Sequence, residues 1–236
     1  MEFKKISSPT LKELFVTEIE SMILSGTLSI GEKLPPEREL AQQMQISRSV
    51  VNDGIVDLAH RGFLNIIPRQ GTYVADYKKN GTIDILVAIM QNGSITEDYI
   101  HSVLEIRQIF MDYALEQVVP SITDAKVQQL RKLLDDFHDT TVPSDWADLM
   151  YQIDYLLTIW SGNVLLPILF SSFKVPNVML LERYFKLHGL EPMAKRNLLL
   201  LEAIEQRDVQ RAKESIEDSI QETINGSTKI YYPSQI

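Results

Sequence analysis

The sequence predicts a mainly α-helical protein, with an N-terminal winged helix-turn-helix and a C-terminal all-α bundle of six or seven helices. Three observations lead to this prediction. Two helices are joined by a short turn, a pair of alternating strands follows them, and helical periodicity alone fills the rest of the chain. A length of 236 residues with a hydrophobic fraction of 44% suits two globular domains.

The composition excludes several classes of protein. The chain has no cysteine, which excludes disulfides, thiolate metal sites and a cysteine nucleophile. Its longest uninterrupted apolar stretch, residues 164–170, contains a proline and is far shorter than the roughly 20 residues of a membrane-spanning helix. The polar N-terminus has no apolar core of a secretory signal. We therefore expect a cytoplasmic protein that has no membrane partner.

The negative charge of the chain is unevenly distributed. The formal net charge is -9. Residues 1–80 hold ten basic and ten acidic side chains, whereas residues 81–236 hold thirteen and twenty-two. All of the excess acid therefore lies in the C-terminal two thirds. A neutral N-terminal domain can still bind an anionic polymer if its positive charges share one face.

Proline, serine and glycine delimit the first two helices. Ser8 and Pro9 predict the start of the first, because a serine oxygen accepts hydrogen bonds from free backbone amides and proline suits the first helical position. An amphipathic stretch follows and Gly26 closes it. The second helix is predicted over residues 37–44, directly after a Pro-Pro pair.

A third helix and a hairpin complete the N-terminal domain. Ser47 is expected to cap the helix, which runs to about His60 and ends at Gly62. Residues 63–67 and 72–75 alternate as strands do, with a Pro-Arg-Gln-Gly tip between them. Two helices joined by a three-residue turn and followed by a hairpin form a winged helix-turn-helix.

A charged, glycine-ended segment separates the two predicted domains. We assign residues 1–76 to the winged helix-turn-helix, 77–81 to a linker, 82–226 to the helical domain and 227–236 to a C-terminal tail. The predicted helices of the second domain are 82–92, 96–118, 123–138, 144–161, 163–187, 191–206 and 208–225.

Short motifs in the first domain carry its functional assignment. They are Gly31-x-Lys33-Leu34-Pro35-Pro36-Glu37-Arg38-Glu39-Leu40-Ala41, Ser47-Arg48-Ser49-Val50-Val51, Leu58-x-x-x-Gly62 and Gly71-Thr72-Tyr73-Val74. In content and spacing they resemble the DNA-binding domain of the GntR family of bacterial transcription regulators. One winged helix reads only a few base pairs, so we expect a homodimer on a palindromic double-stranded DNA operator.

The start of the third helix is the expected reader of DNA. Ser47, Arg48 and Ser49 present backbone amides, two hydroxyls and a guanidinium at a positive helix end, which suits phosphates and major-groove edges. Many family members have an arginine where this chain has Asn52, and asparagine can pair with adenine. Gly54, two residues on, should weaken this helix by about 1 kcal/mol relative to alanine.

The second helix and the wing supply the remaining expected contacts. The family uses an arginine against DNA at the position of Arg38. At the wing tip, Gly71 allows close approach to a groove and Arg69 adds charge. The alternative is that these are solvated surface charges around a structural turn, but four coincident features argue against it. The predicted DNA contacts are Arg38, Ser47, Arg48, Ser49, Asn52, Arg69 and Gly71.

The second domain resembles the helical effector domain of the FadR branch of the same family. The resemblance rests on Val103-Leu104-Glu105-Ile106-Arg107, Trp160-Ser161-Gly162-Asn163 and Arg183-Tyr184-Phe185. Many relatives hold a metal there with an Asp, a His four residues later and two further His. The four corresponding positions here do not match, because thioether, amide and hydroxyl groups are poor ligands. We therefore predict no metal and no cofactor. The corresponding positions are Met150, Asp154, Asn197 and Ser219.

Without a metal, the domain resembles the fatty-acyl-CoA-responsive type. The resemblance implies an effector pocket that contains Arg107, Phe173 and Tyr184, and we include Leu104 beside them. A helical row shared with Val103 and Phe110 points Arg107 inward, and a buried arginine needs an anion.

Two questions about this pocket stay open. The anion that faces Arg107 is either a ligand or a protein acid such as Glu105 or Glu182. The ligand is a small anionic effector, either a fatty acyl-CoA or a different organic or sugar acid.

Two other functions fit the sequence less well. An enzyme would have to use Asp135, Asp136 and His138, but positions i, i+1 and i+3 of one helix face different directions. No phosphate loop or nucleophile elbow accompanies them. We therefore predict that the protein is not an enzyme. A protein-binding adaptor that has lost DNA contact is disfavoured by intact Arg38 and Arg48.

Overall fold

A computed structural model of the chain describes residues 8–92, 95–136 and 142–231. The chain divides into two compact units, one up to residue 95 and one from residue 96 onward. The predicted combination of a winged helix-turn-helix and an all-α bundle is confirmed. No helix of the described residues is both long and apolar enough to cross a bilayer. The first unit contains α1 (Leu11–Leu24), α2 (Glu37–Gln43), α3 (Arg48–Arg61), β1 (Leu64–Ile67), β2 (Gly71–Val74), α4 (Tyr77–Asn80) and α5 (Ile83–Gln91).

The first helix begins two residues later than predicted. Thr10, not Ser8, is the N-cap, because its hydroxyl accepts a hydrogen bond from the Glu13 amide at 3.2 Å. The Glu13 carboxylate accepts one in return from the Thr10 amide at 2.7 Å. This reciprocal capping box satisfies two backbone donors that Ser8 cannot reach. The Thr10 amide also lowers the pKa of Glu13.

The packing of α1 on α3 gives Gly54 a role that helix propensity does not reveal. Gly54 is buried, and a Cβ atom built on it would overlap the ring of Phe15 on α1. The ring of Phe15 therefore occupies the space that a side chain at position 54 would need. The buried apolar side chains that join the two helices include Phe15, Ile19, Val51, Ile55 and Leu58.

The third helix and the wing follow the sequence prediction closely. The Ser47 hydroxyl accepts a hydrogen bond from the Val50 amide at 3.3 Å, and Gly62 ends the helix in the left-handed conformation. The two strands pair antiparallel, with Leu64 opposite Val74. Lys33 forms an isolated antiparallel bridge with Tyr73, beside the two-stranded wing.

The predicted linker is not extended, and the helix after it packs with the first unit. Residues 77–80 form one helical turn. Behind it, α5 buries its apolar face in the unit that contains α3. The Thr82 hydroxyl donates to the Arg61 carbonyl at 3.1 Å. The structure therefore divides the chain after residue 95, whereas the sequence pattern places the second domain from residue 82.

The second unit is a bundle built around α6 and α8. Helix α6 packs against α8 and α12, α8 packs against α10, and α11 packs against α12. The bounds of its elements are α6 (Glu97–Val118), a 3-10 turn (Val119–Ser121), α7 (Asp124–Asp136), α8 (Pro143–Trp160), α9 (Leu166–Ser172), α10 (Lys174–His188), α11 (Glu191–Glu205) and α12 (Val209–Ile224).

The single helix predicted over 163–187 is wrong, because the segment forms two helices that meet at Phe173. Pro176 has no amide to donate to the carbonyl of Ser172, and its ring crowds that carbonyl. The Asn177 side-chain amide donates to the Phe173 carbonyl at 3.0 Å, which stabilises the new start. Helix α9 is therefore a separate short element on the surface of the bundle.

The C-terminal tail predicted from residue 227 folds back onto the bundle. Thr228 and Ile230 are buried, and the Ile230 amide donates to the Thr223 carbonyl of α12 at 3.3 Å. Residues 232–236 lie outside the described residues, as does the end of the helix predicted over 123–138.

Candidate DNA-binding surface and effector cavity

A groove in the first unit collects most of the exposed cations among residues 8–92. It has an accessible volume of about 470 Å³ and lies between α2, the start of α3 and the wing. Four predicted DNA contacts, Arg38, Arg48, Arg69 and Gly71, line it together with Lys33. Glu37 is the acidic side chain among the lining residues. Four cations against one carboxylate give this groove a positive potential although the domain as a whole is neutral.

The other predicted contacts on α3 are arranged around the helix start. Ser47 caps the helix with its own oxygen, which also lies 3.0 Å from the Ser49 hydroxyl. Asn52 is exposed, and its amide donates to the Glu37 carboxylate at 3.1 Å. Glu37 therefore orients Asn52 and holds the donor that would contact an adenine. Ser47 has a structural role here, and Ser49 stays exposed.

The wing tip has a backbone that only certain residues adopt. Gly71 has a φ of 123° and Arg69 a φ of 64°. A Cβ atom on Gly71 would lie 2.8 Å from Cε of Lys33, so the glycine lets the lysine side chain cross the strand. Lys33 also lies over the Tyr73 ring, with Nζ 5.8 Å from the ring centroid. Lys33 was not predicted as a contact, although its place in the motif next to Leu34-Pro35 was a usable signal.

The second unit contains a small internal cavity. Its accessible volume is about 30 Å³, enough for about two water molecules. Three predicted effector residues, Leu104, Arg107 and Tyr184, line it together. Phe173 does not line it, so its assignment to the cavity is corrected: its ring packs against Phe110 at a centroid distance of 6.0 Å. The break between α9 and α10 directs Phe173 to this site.

Arg107 forms an ion pair with a residue that was not among the partners suggested by the sequence. Its Nε donates to Oδ2 of Asp154 on α8 at 2.6 Å, and the side chains are 14% and 4% exposed. The suggested partners Glu105 and Glu182 are replaced by Asp154. Its other oxygen, Oδ1, is buried without a hydrogen-bond partner among the described residues. A polar group at that oxygen would therefore be stabilising.

The positions that hold a metal in relatives do not fit a metal here. The Asn197 amide nitrogen lies 2.7 Å from the Met150 sulfur, and the Ser219 hydroxyl lies 3.9 Å from the Met193 sulfur. Asp154 is engaged with Arg107. Residues 8–92, 95–136 and 142–231 contain no group of three His, Asp or Glu side chains that could bind one. This donor set therefore does not match divalent metal chemistry.

The residues of the enzyme alternative are only partly described. Asp135 is exposed on α7. The side chain of Asp136 and the whole of His138 lie outside the described residues. On α8, burial raises the pKa of Tyr151 to about 12, so this phenol stays neutral and is not a base near physiological pH.

The folds of the two units define the class of protein, which combines a winged helix-turn-helix with an all-α domain. This chain belongs to the gntR family of bacterial regulatory proteins: the model of that family matches residues 11–74, and the model of the FCD domain matches residues 102–222.

Several curated relatives are described as transcriptional regulators. The chain is 25% identical over 138 residues to the HTH-type transcriptional regulator Mce2R of Mycobacterium tuberculosis, an alignment that covers 56% of this chain and 58% of that protein. It is 25% identical over 136 residues to the uncharacterized HTH-type transcriptional regulator YcbG of Bacillus subtilis, covering 58% and 56%. A 67-residue segment is 39% identical to the arabinose metabolism transcriptional repressor of Geobacillus stearothermophilus, covering 28% and 18%. The chain thus spans less than two thirds of the length of each of these relatives.

Solved structures share the fold. The structure of Lar, which is described as controlling the expression of the Listeria monocytogenes agr system, has a TM-score of 0.65 at 17% identity, covering 93% of this chain and 97% of that one. A GntR family member from Pseudomonas syringae pv. tomato has a TM-score of 0.50 at 17% identity, covering 94% and 87%. At this identity the likeness concerns the fold alone.

Proposed function

We propose that this protein is a cytoplasmic transcriptional regulator that binds a palindromic DNA operator as a homodimer, and that a small anionic effector in the helical unit changes its affinity for DNA. The observation that supports DNA binding best is the groove in which Lys33, Arg38, Arg48 and Arg69 surround the start of α3. Cations on one face neutralise phosphates, and a helix start brings side chains to base edges.

The groove suggests distinct roles for its side chains. Arg48 is the first residue of α3 and reads a base edge, most simply a guanine. Lys33 and Arg69 flank the wing and contact phosphates. The Asn52 side chain contacts a base only after its hydrogen bond to Glu37 breaks. The free energy of that hydrogen bond therefore reduces the gain from the base contact.

Substitution of Arg48 tests this assignment. Arg48→Ala should weaken specific operator binding by about 1–3 kcal/mol and relax specificity at one base pair. Arg131→Ala, which removes an exposed arginine of α7, is the matched control and should leave binding unchanged. The measurement is a gel-shift titration at fixed salt on an operator selected from random DNA. Undiminished affinity of Arg48→Ala would contradict the role of Arg48.

Arg107 is the proposed contact for the acid group of the effector. Its hydrogen bond to Asp154 uses Nε, so the terminal nitrogens of the guanidinium can bind a ligand carboxylate from the cavity side. The cavity is far below the roughly 300–1,000 Å³ of typical ligand pockets. A short organic or sugar acid needs a smaller expansion than an acyl chain. We therefore favour the short acid over the fatty acyl-CoA that the family resemblance suggests.

Titration calorimetry separates the two ligand classes. Short organic acids, free fatty acids and long-chain acyl-CoAs are titrated into the full chain and into Arg107→Met/Asp154→Leu. The double variant removes both charges without leaving one buried alone, so it should keep the melting temperature and lose acid binding. Binding of acyl-CoAs alone would reverse our preference. If no acid binds the native protein, the ion pair is purely structural and the effector proposal fails.

Binding of the effector must differ between the DNA-bound and DNA-free forms to regulate transcription. A coupling of about 1–3 kcal/mol changes operator affinity roughly 5- to 150-fold. An acid that binds in calorimetry should therefore shift the gel-shift midpoint by a factor in this range.

A further inference from the structure

The cavity of the second unit cannot admit a ligand as it stands, so part of its wall must move. Its volume of about 30 Å³ holds about two waters, and even a small acid has several more heavy atoms than that. The wall is formed by Leu104, Arg107, Met150, Asn177, Leu180, Leu181, Tyr184, Met193, Ser219, Ile220, Thr223 and Ile230.

Ile230 differs from the rest of this wall. Among the lining residues in the described part of the chain, it is the one that lies outside a helix. It is 1% exposed, so its side chain is packed into the bundle as part of the cavity wall. The other lining residues belong to five helices that pack on one another, and moving one of them would disturb the core of the bundle.

Polar contacts hold the backbone around Ile230, and they come from three helices. Arg183 of α10 donates to the Ile230 carbonyl, and His188 of the same helix lies 2.7 Å from the Lys229 carbonyl. Arg196 of α11 donates to the Thr228 hydroxyl at 2.8 Å. The Ile230 amide donates to the Thr223 carbonyl of α12. The His188 contact is at the surface, where water replaces it at low cost, and the Arg183 and Arg196 contacts are partly buried.

We infer that residues 227–231, here called the C-terminal strap, close the effector cavity and must release before a ligand enters. Because Ile230 forms part of the cavity wall, its departure with the strap removes one wall side chain and enlarges the cavity. Release exposes one large apolar side chain and a few hydrogen bonds, which makes it a local opening and not an unfolding of the bundle. The ligand-gating part of this inference rests on the proposed effector function, whereas the opening of the strap does not.

Arg196 connects the strap to the cavity wall. One terminal nitrogen donates to the Tyr184 hydroxyl at 3.3 Å, and the other donates to Thr228 of the strap at 2.8 Å. A ligand that hydrogen-bonds to Tyr184 therefore changes a partner of the same guanidinium that holds the strap. Tyr184 is thus placed to contact the ligand, and Arg196 is placed to link ligand binding in the cavity to the position of the strap.

Thiol labelling measures the opening directly, because the native chain has no cysteine. We would label Ile230→Cys with an aromatic disulfide reagent and follow the released thiolate by absorbance. Lys229→Cys, at an exposed strap position, gives the labelling rate of a fully accessible thiol. Leu157→Cys, in the core of α8, gives the rate of a thiol that reacts only when the bundle unfolds. Ile230→Cys should react more than about tenfold faster than Leu157→Cys, with a weak dependence on urea that marks local opening.

A second reporter guards against loosening by the Ile230 substitution itself. Ser219→Cys places a thiol of similar size in the cavity wall and keeps Ile230 and the strap contacts, so it should label with the same urea dependence as Ile230→Cys. If both cysteines react as slowly as Leu157→Cys and with its steep urea dependence, the strap does not open and the inference is overturned.

The anchor is tested in the same background. Arg183→Ala should accelerate labelling of Ile230→Cys by about fivefold or more, through a larger open fraction. Arg131→Ala should not change the rate. An unchanged rate in Arg183→Ala would contradict the anchoring role of Arg183. Neither DNA nor effector is present in these assays, so their outcome is independent of the operator and calorimetry tests.

Discussion

At the residue scale, single atoms decide how closely two elements approach. The ring of Phe15 lies against the backbone of α3 at Gly54, in the space that a side chain would occupy. Gly71 similarly leaves room for the Lys33 side chain at the wing. In both places the glycine serves a neighbour that lies far away in sequence. Substitution therefore acts through packing as well as through backbone freedom.

We expect Gly54→Ala to lower the free energy of unfolding of the first unit. Alanine gains about 1 kcal/mol in helix propensity, but overpacking against a buried ring typically costs about 1–3 kcal/mol. Asp53→Ala, at the exposed neighbouring position, gains propensity without a clash and is the matched control. Urea denaturation followed by circular dichroism measures both. A more stable Gly54→Ala protein would contradict the packing role, and Phe15→Leu in the same chain should relieve the clash.

At the element scale, the meeting point of α8, α11 and α12 is held together by side-chain contacts that suit no metal. Met150 contacts Asn197 across α8 and α11, and Asp154 is paired with Arg107 of α6. A buried pair of this kind is costly to break from one side, because the remaining charge is left without a partner. The pair therefore fixes the relative position of α6 and α8.

We expect folding and effector response to need no divalent metal. After dialysis against a chelator, emission spectroscopy should find well under one equivalent of metal, and added Zn²⁺, Mn²⁺ or Ni²⁺ should leave the melting temperature unchanged. The reason is that three of the four positions carry poor donors and the fourth, Asp154, is paired with Arg107. Asn197→His/Ser219→His is the comparison, since two imidazoles beside Asp154 should confer a metal-dependent rise. A stoichiometric metal that stabilises the native chain would show that these positions are misassigned.

At the scale of the whole molecule, the charged and uncharged surfaces suit different interactions. The excess acidic side chains of the C-terminal part make copies of the chain repel one another, whereas an uncharged face does not contribute to this repulsion. Residues 155–173 contain no Asp, Glu, Lys or Arg, and the α9 region within them exposes large apolar side chains. Val164 is 80% exposed and Ile168 63%. An uncharged apolar face is where two copies of an acidic chain can pair through the same patch.

We expect this α9 face to form the proposed homodimer. Ile168→Asp should place like charges at the centre of a two-fold interface and shift the protein to monomer, which weakens operator binding in parallel. Leu198→Asp, at a comparably exposed position on α11, is the control. Analytical ultracentrifugation gives the oligomeric state of each variant. A dimer that survives Ile168→Asp unchanged would exclude the α9 face.

Much of the architecture and three of the four cations of the candidate groove could be predicted from local patterns. The effects of Ser47, Gly62 and the hairpin tip reach only a few residues along the chain. They can therefore be predicted from the local sequence. The cations Arg38, Arg48 and Arg69 were identified for the same reason, because the motif keeps them at set distances from helix ends. Pro176 could have revealed the break before α10, since a proline excludes the amide donor that a continuous helix needs.

The sequence by itself determined the helical periods, the cap of α3, the wing hairpin and three of the four cations of the groove, because each depends on neighbours in the chain. Only the tertiary structure decided which distant groups meet. Asp154 lies 47 residues from Arg107, and Ile230 reaches the cavity from beyond the last helix. Helical spacing identifies a buried face but not the element that covers it. The partner of a buried charge and the residues that line a cavity therefore depend on how the helices pack.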